Sequence, residues 1–142
     1  MVAAPSVIEA VRERPAEDEP YMSDRQQQYF RRKLLNWKEE ILREARSTVG
    51  HLQAETVNHP DIADRATSES DRALELRTRD RQRKLIAKID AALRRLDDGE
   101  YGWCEETGEP IGFARLDARP IATLSLESQE RHERRERVHR DE

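Results

Sequence analysis

The sequence predicts a mainly α-helical protein, a long antiparallel two-helix coiled-coil hairpin plus a small globular region. Apolar residues recur every three or four positions along two long stretches, which is the signature of amphipathic helices. A proline-containing break separates the stretches, and glycine-rich turn grammar begins only after the second. Composition agrees. Of the 142 residues, 39% are charged and 5% aromatic, with a mean hydropathy of -1.03. Such a chain is too polar for a thick core but suits helices that each bury one narrow seam.

Residues 1–22 form an N-terminal segment expected to pack on the globular region. It has a short helical pattern at Val7 to Arg14 and then an acidic connector with Pro15 and Pro20. The hairpin spans residues 23–98. Ser23 or Asp24 fits an N-cap, and the first seam runs through Phe30, Leu34, Trp37, Ile41, Ala45, Thr48 or Val49, and Leu52. This helix is expected to end near Glu55 to Asn58, before Pro60, because a proline disfavours helical geometry in its predecessor. The tip, residues 58–66, reads N-H-P-D-I-A-D-R-A. A return helix starts between Asp61 and Ser68, follows Ala73 or Leu74, Leu85, Ile89, Ala92 and Leu96, and stops at Gly99. Each helix of roughly 34 residues would extend about 50 Å, a rod that projects its tip.

The second helix carries an uneven charge. Nine basic residues face three acidic ones between Arg72 and Arg95, whereas all six charges from Asp97 to Glu109 are negative. Five arginines between Arg72 and Arg83 exceed what packing requires, so this segment is a candidate contact surface. The tip pairs Asp61 with Asp64 at helical spacing. One acid suffices for a cap, so the pair is a candidate working end.

Residues 99–128 change grammar. Glycines 102, 108 and 112 and Pro110 predict tight turns and short strands, followed by an irregular piece from Leu116 to Pro120. Cys104 and Thr107 stand at the spacing of a zinc-binding knuckle, and Ser125 and Ser128 repeat it. A structural zinc needs four thiolate or imidazole ligands. Three of these positions offer only hydroxyls, so no zinc is expected and the metal positions are degenerate. Packing of Trp103, Ile111, Phe113, Leu116, Ile121, Leu124 and Leu126 is expected to hold the segment, and Cys104 is expected to be a partly buried, inert thiol. Residues 129–142 continue a charged C-terminal helix from Ser125.

Several classes are excluded. There is no apolar run long enough to span a membrane and no apolar signal core. A single cysteine cannot make an internal disulfide framework. The expected location is the cytoplasm. A net charge of -4 argues against a dedicated DNA-binding protein.

The tip, R-x-R-D-R at Arg77 to Arg81, K-L-I-x-K-I at Lys84 to Ile89, Y-G-x-C at Tyr101 to Cys104, and R-L-x-A-R-P at Arg115 to Pro120 together resemble the DksA/TraR family. These are bacterial regulators that enter the secondary channel of RNA polymerase. The resemblance covers residues from about 24 to 130 and departs in the reduced zinc finger, as in a zinc-independent branch. It implies a non-enzymatic regulator, without a cofactor, that destabilises open complexes and potentiates the alarmone ppGpp in the stringent response. By position, Asp61, Asp64 and Ala66 would approach the polymerase active centre and trigger loop. Arg81 would grip the channel rim, and Leu85, Lys88 and Arg119 would contact ppGpp. A further basic position of that site is Gln129 here, which removes a charge-assisted contact. The expected partners are RNA polymerase and ppGpp, with no sequence-specific DNA and no membrane, and the expected state is a monomer. The alternatives are a Gre-like transcript-cleavage factor, whose tip acids would hold magnesium, and a coiled-coil adaptor. The broken seam at Glu75 to Lys84 and Pro60 at a tight bend favour the intramolecular hairpin over the adaptor.

Overall fold

The computed structural model describes residues 14–16, 18–55 and 62–141. Its elements are α1 (Asp24–Glu55), α2 (Ile62–Asp98), α3 (Phe113–Ala118) and α4 (Leu126–Asp141). Among the described residues the only β-type pairing is an isolated antiparallel bridge between Trp103 and Pro110. The expected short strands thus reduce to one bridge. The expected helix at Val7 to Arg14 lies outside the described residues except for Arg14, which is not helical. The chain divides into two compact units, residues 35–90 and a second unit built from the flanking residues up to 34 and from 91 onward.

In the hairpin unit, Lys38 Nζ lies 2.7 Å from Asp90 Oδ1, and Gln82 Nε2 lies 3.4 Å from Glu44 Oε2. Partners descend along α2 as they ascend along α1, so the helices are antiparallel. The seam is thin. Ile41 and Ile89 are buried, while Trp37, Ala45, Ala73 and Leu85 are half-buried. Leu74 is 61% exposed, so Ala73 is the seam residue of that turn. The expected seam positions Thr48, Val49 and Leu52 fall beyond the described side chains.

The second unit is organised around aromatic rings. Phe30 and Leu34 of α1 and Ala92 and Leu96 of α2 are buried there together with Tyr101, Ile111, Phe113 and Leu116. Phe30 meets Phe113 at 5.2 Å and Tyr101 at 5.6 Å between ring centroids, and Tyr29 stacks on Phe113 at 5.9 Å. Each such ring, fully buried, contributes roughly 1.5–3 kcal/mol. Two expectations for this core were wrong. Trp103 is 39% and Leu126 58% exposed, and their places are taken by Tyr101, Pro120 and Ala122. The stretch expected to be irregular is in large part α3, whose Phe113 and Leu116 point inward.

Local chemistry fixes the entry to α1. Ser23 Oγ accepts the Gln26 amide N–H at 3.3 Å, and Gln26 Oε1 accepts the Met22 amide N–H at 2.8 Å. This is a variant of the capping box, with the return bond displaced by one residue. At the end of α2, Gly99 takes a φ of 75°, and the Glu100 amide N–H reaches the Arg95 carbonyl at 2.9 Å. That closes the helix with a left-handed glycine, as expected.

Candidate functional site

Residues 84, 85 and 88 lie three, four and seven positions after Arg81, which puts them on one face of α2. In the hairpin unit they border a cavity of about 490 Å³. Its floor is Trp37, Ile41 and Leu85, and its α2 rim is Arg81, Lys84 and Lys88, all three exposed. Glu40 and Glu44 stand on the α1 side. An apolar floor between a basic and an acidic rim can receive a flat or apolar group while the cations hold an anion.

The structure thus brings Arg81, Leu85 and Lys88 together. Arg119 belongs to the other unit, where it is exposed and its backbone N–H caps α3 on the Arg115 carbonyl at 2.8 Å. Ala66 is exposed on α2. Asp64 falls in the first turn of α2, but its side chain lies outside the described set, as does Asp61 altogether. Sequence reasoning places Trp37 in the seam and leaves Lys84 without a role. The i, i+3, i+4, i+7 spacing around Arg81 is the signal available for Lys84.

Asp117 is a further residue that sequence reasoning misses. Its carboxylate accepts the Tyr29 hydroxyl at 2.6 Å and Lys33 Nζ at 2.7 Å, and Arg14 Nε lies 3.2 Å away. Burial works against its charge, but hydrogen bonds from Lys33 and Tyr29 and the charges of Lys33 and Arg14 outweigh it and lower its pKa. Burial and the same carboxylate push the Tyr29 phenol up to about 12. Asp117 therefore fastens α3, two residues before Arg119, to α1 and to the N-terminal segment.

The knuckle is held by backbone pairing. The Cys104 amide N–H bonds the Glu109 carbonyl, the Gly108 N–H bonds the Cys104 carbonyl, and the Ile111 N–H bonds the Gly102 carbonyl, all within 2.8–2.9 Å. Tyr21 straddles it. Its hydroxyl donates to the Gly102 carbonyl at 2.6 Å and accepts the Gly112 N–H at 3.0 Å. Gly102 has a φ of 92°, and a Cβ there would come within 2.9 Å of Met22 Sδ. Only glycine fits that place.

The four degenerate metal positions converge. Cys104 Sγ lies 3.4 Å from Ser128 Oγ, which lies 3.1 Å from Ser125 Oγ, and the Thr107 side chain hydrogen-bonds Cys104. Cys104 is 3% exposed, more buried than expected. Its thiol is also not an ordinary one. Burial pushes it up, but hydrogen bonds from Ser128, Thr107 and the backbone of Ser125 and Thr107 prevail and bring it down to about 6. The donor set is one sulfur and three hydroxyls. Aliphatic hydroxyls stay protonated and are poor zinc ligands, so these residues do not fit a structural zinc. Among the described residues no group of three His, Cys, Asp or Glu side chains is arranged to hold a metal.

Residues 26–96 match the family model of the DnaK suppressor protein DksA N-terminal domain, and residues 99–134 match that of the prokaryotic dksA/traR C4-type zinc finger. The RNA polymerase-binding transcription factor DksA of Caulobacter vibrioides (strain NA1000 / CB15N) is 72% identical over 141 residues, 99% of each chain. The chain belongs to the DksA/TraR family. The RNA polymerase-binding transcription factor DksA of Escherichia coli (strain K12) is 43% identical over 130 residues, covering 92% of this chain and 85% of that one. The solved structure of transcription factor DksA2 from Pseudomonas aeruginosa matches with a TM-score of 0.78 at 44% identity, over 91% of this chain and 97% of that one. Within the family, the matched finger is of the four-cysteine type, whereas this chain has Cys104 alone. No described helix is long and apolar enough to cross a membrane.

Proposed function

We propose that the protein is a non-enzymatic, cytoplasmic transcription regulator that binds RNA polymerase directly. The observation that carries this reading is the basic face of α2, where Arg81, Lys84 and Lys88 surround Leu85, in a chain 72% identical to a protein named for polymerase binding. The hairpin enters the secondary channel, Arg81 grips its rim, and Asp61, Asp64 and Ala66 reach the active centre. There an acid biases mobile elements electrostatically and destabilises open complexes. The alarmone ppGpp binds at the polymerase interface against Leu85, Lys88 and Arg119, with one cation fewer because position 129 is glutamine. The knuckle works without zinc, and the protein acts as a monomer without reading DNA sequence.

The test is single-round transcription from a ribosomal-RNA promoter with purified polymerase, with and without ppGpp, alongside a binding assay. The wild-type protein should lower transcript yield, and more so with ppGpp. Asp64→Asn should bind nearly as the wild type yet lose the effect. Arg81→Ala should bind about tenfold more weakly, the cost of one charge-assisted contact. Unchanged affinity of Arg81→Ala removes the rim assignment, and a wild type without effect on transcription removes the whole reading.

A further inference from the structure

A metal site that has lost three of its four ligands is expected to fall open or fill with apolar side chains. This one has done neither. Its four side chains still point at one another, and Ser128, at their centre, is fully buried.

The hydrogen bonds at Ser128 can be assigned by elimination. Ser128 Oγ has neighbours in Ser125 Oγ at 3.1 Å, an Arg131 guanidinium N–H at 3.3 Å and Cys104 Sγ at 3.4 Å. A hydroxyl oxygen has two lone pairs and one proton, so it cannot accept all three. The arginine can only donate. Ser125 Oγ already accepts the Ser128 amide N–H at 3.3 Å and has its own proton to give. Ser125 and Arg131 therefore occupy the two lone pairs, and the Ser128 proton goes to sulfur. Thr107 repeats the logic. Its Oγ1 accepts the Glu109 amide N–H at 3.3 Å, which frees its proton for Cys104. The sulfur then receives hydroxyls from both halves of the knuckle.

We propose that this thiol–hydroxyl cluster replaces the metal centre: Cys104 is the common acceptor, Ser128 is the node that ties the knuckle to α4, and the four corners keep a geometry that thiolates could return to zinc. The spacing supports the last point. Zinc–sulfur bonds of about 2.3 Å set tetrahedral edges near about 3.8 Å. The observed edges of 3.1 and 3.4 Å are shorter by a few tenths of an ångström, because groups in direct hydrogen bonding approach more closely than thiolates that share a metal. The cation is replaced as well, since Arg131 places a positive charge on Ser128 from outside the cluster.

The proposal rests on the metal-free reading of the knuckle, and the experiment keeps the two apart. Zinc is measured on purified full-length protein by mass spectrometry, and amide exchange at Cys104 and Gly108 is followed in the wild type, Ser128→Ala and a surface control, Glu130→Ala. Well below one zinc per chain is expected, with exchange about tenfold faster in Ser128→Ala only, the effect of one buried hydrogen-bonding node. One zinc per wild-type chain overturns the metal-free reading and the proposal together. A zinc-poor wild type whose exchange is unmoved by Ser128→Ala overturns the proposal alone. The triple variant T107C/S125C/S128C is then titrated with cobalt. One equivalent bound with sulfur-to-cobalt charge-transfer absorbance is expected, whether the variant starts folded or folds on metal addition. No such band at saturating cobalt shows that the corners do not have metal-site geometry.

Discussion

The two units solve the problem of staying folded in different ways. The hairpin unit has a seam only a residue or two wide and covers it with half-buried side chains, among them the paired Lys38 and Asp90, 31% and 35% exposed. The other unit packs four touching rings and pins them with directional bonds, such as the Tyr101 hydroxyl on the Pro120 carbonyl at 2.7 Å. Burial scales with apolar area and is felt whenever an atom is removed, whereas half-exposed charges contribute little and are screened by salt. The lesson is a division of labour. Rigidity is concentrated in the ring-packed unit, and the hairpin keeps a polar surface.

Substitutions can break this contrast at different depths. Phe30→Ala should cost about 3–5 kcal/mol in urea unfolding, because it opens a cavity under Tyr101 and Phe113 that the surrounding helices cannot close. Asp117→Asn should cost about 2 kcal/mol near neutral pH, where it weakens charge-assisted bonds to Tyr29 and Lys33. The pH dependence of that loss has a definite sign. The folded carboxyl titrates below its ordinary value of 3.8, so its contribution is fully present above about pH 4 and disappears as pH falls through the lowered value. The gap between wild type and variant, followed by thermal melts, should be constant near neutrality and close in acid. Lys38→Ala should cost about 0.5 kcal/mol or less and should lose even that in high salt. If Lys38→Ala rivals Phe30→Ala, the hairpin is not the weakly held half.

Legibility in the sequence divides along the same line. Long helices repeat their pattern many times, so Phe30, Leu34, Ile41, Ile89, Ala92 and Leu96 are all legible as seam residues, and so is the stop at Gly99. The metal-like spacing of Cys104, Thr107, Ser125 and Ser128 is legible because it survives the loss of the ligands. The knuckle core is not. Six residues of α3 give no periodicity, and its N-cap, Gly112, makes no side-chain cap, so no signal marks its start. Size alone assigns Trp103 to the core, yet it is 39% exposed and meets Tyr21 edge-on at 5.3 Å. Asp117 is illegible for a deeper reason: its partners Tyr29 and Lys33 lie 88 and 84 residues away.

That separation sets an order of assembly. Residues 35–90 form one uninterrupted block, which leaves the ribosome complete and can pair its helices as soon as the return helix of the hairpin has emerged. The other unit is stitched from the two flanks of that block. The contact of Phe30 with Phe113, and that of Tyr21 with Gly112, must wait until the later residues are made. Contacts of such long sequence separation form late and slowly, and a unit made early is a folded neighbour for the residues synthesised after it. Closing the hairpin first brings residues 34 and 91 together and shortens the loop that the late contacts must close. The uninterrupted block is thus the first part of the chain that can complete its own contacts.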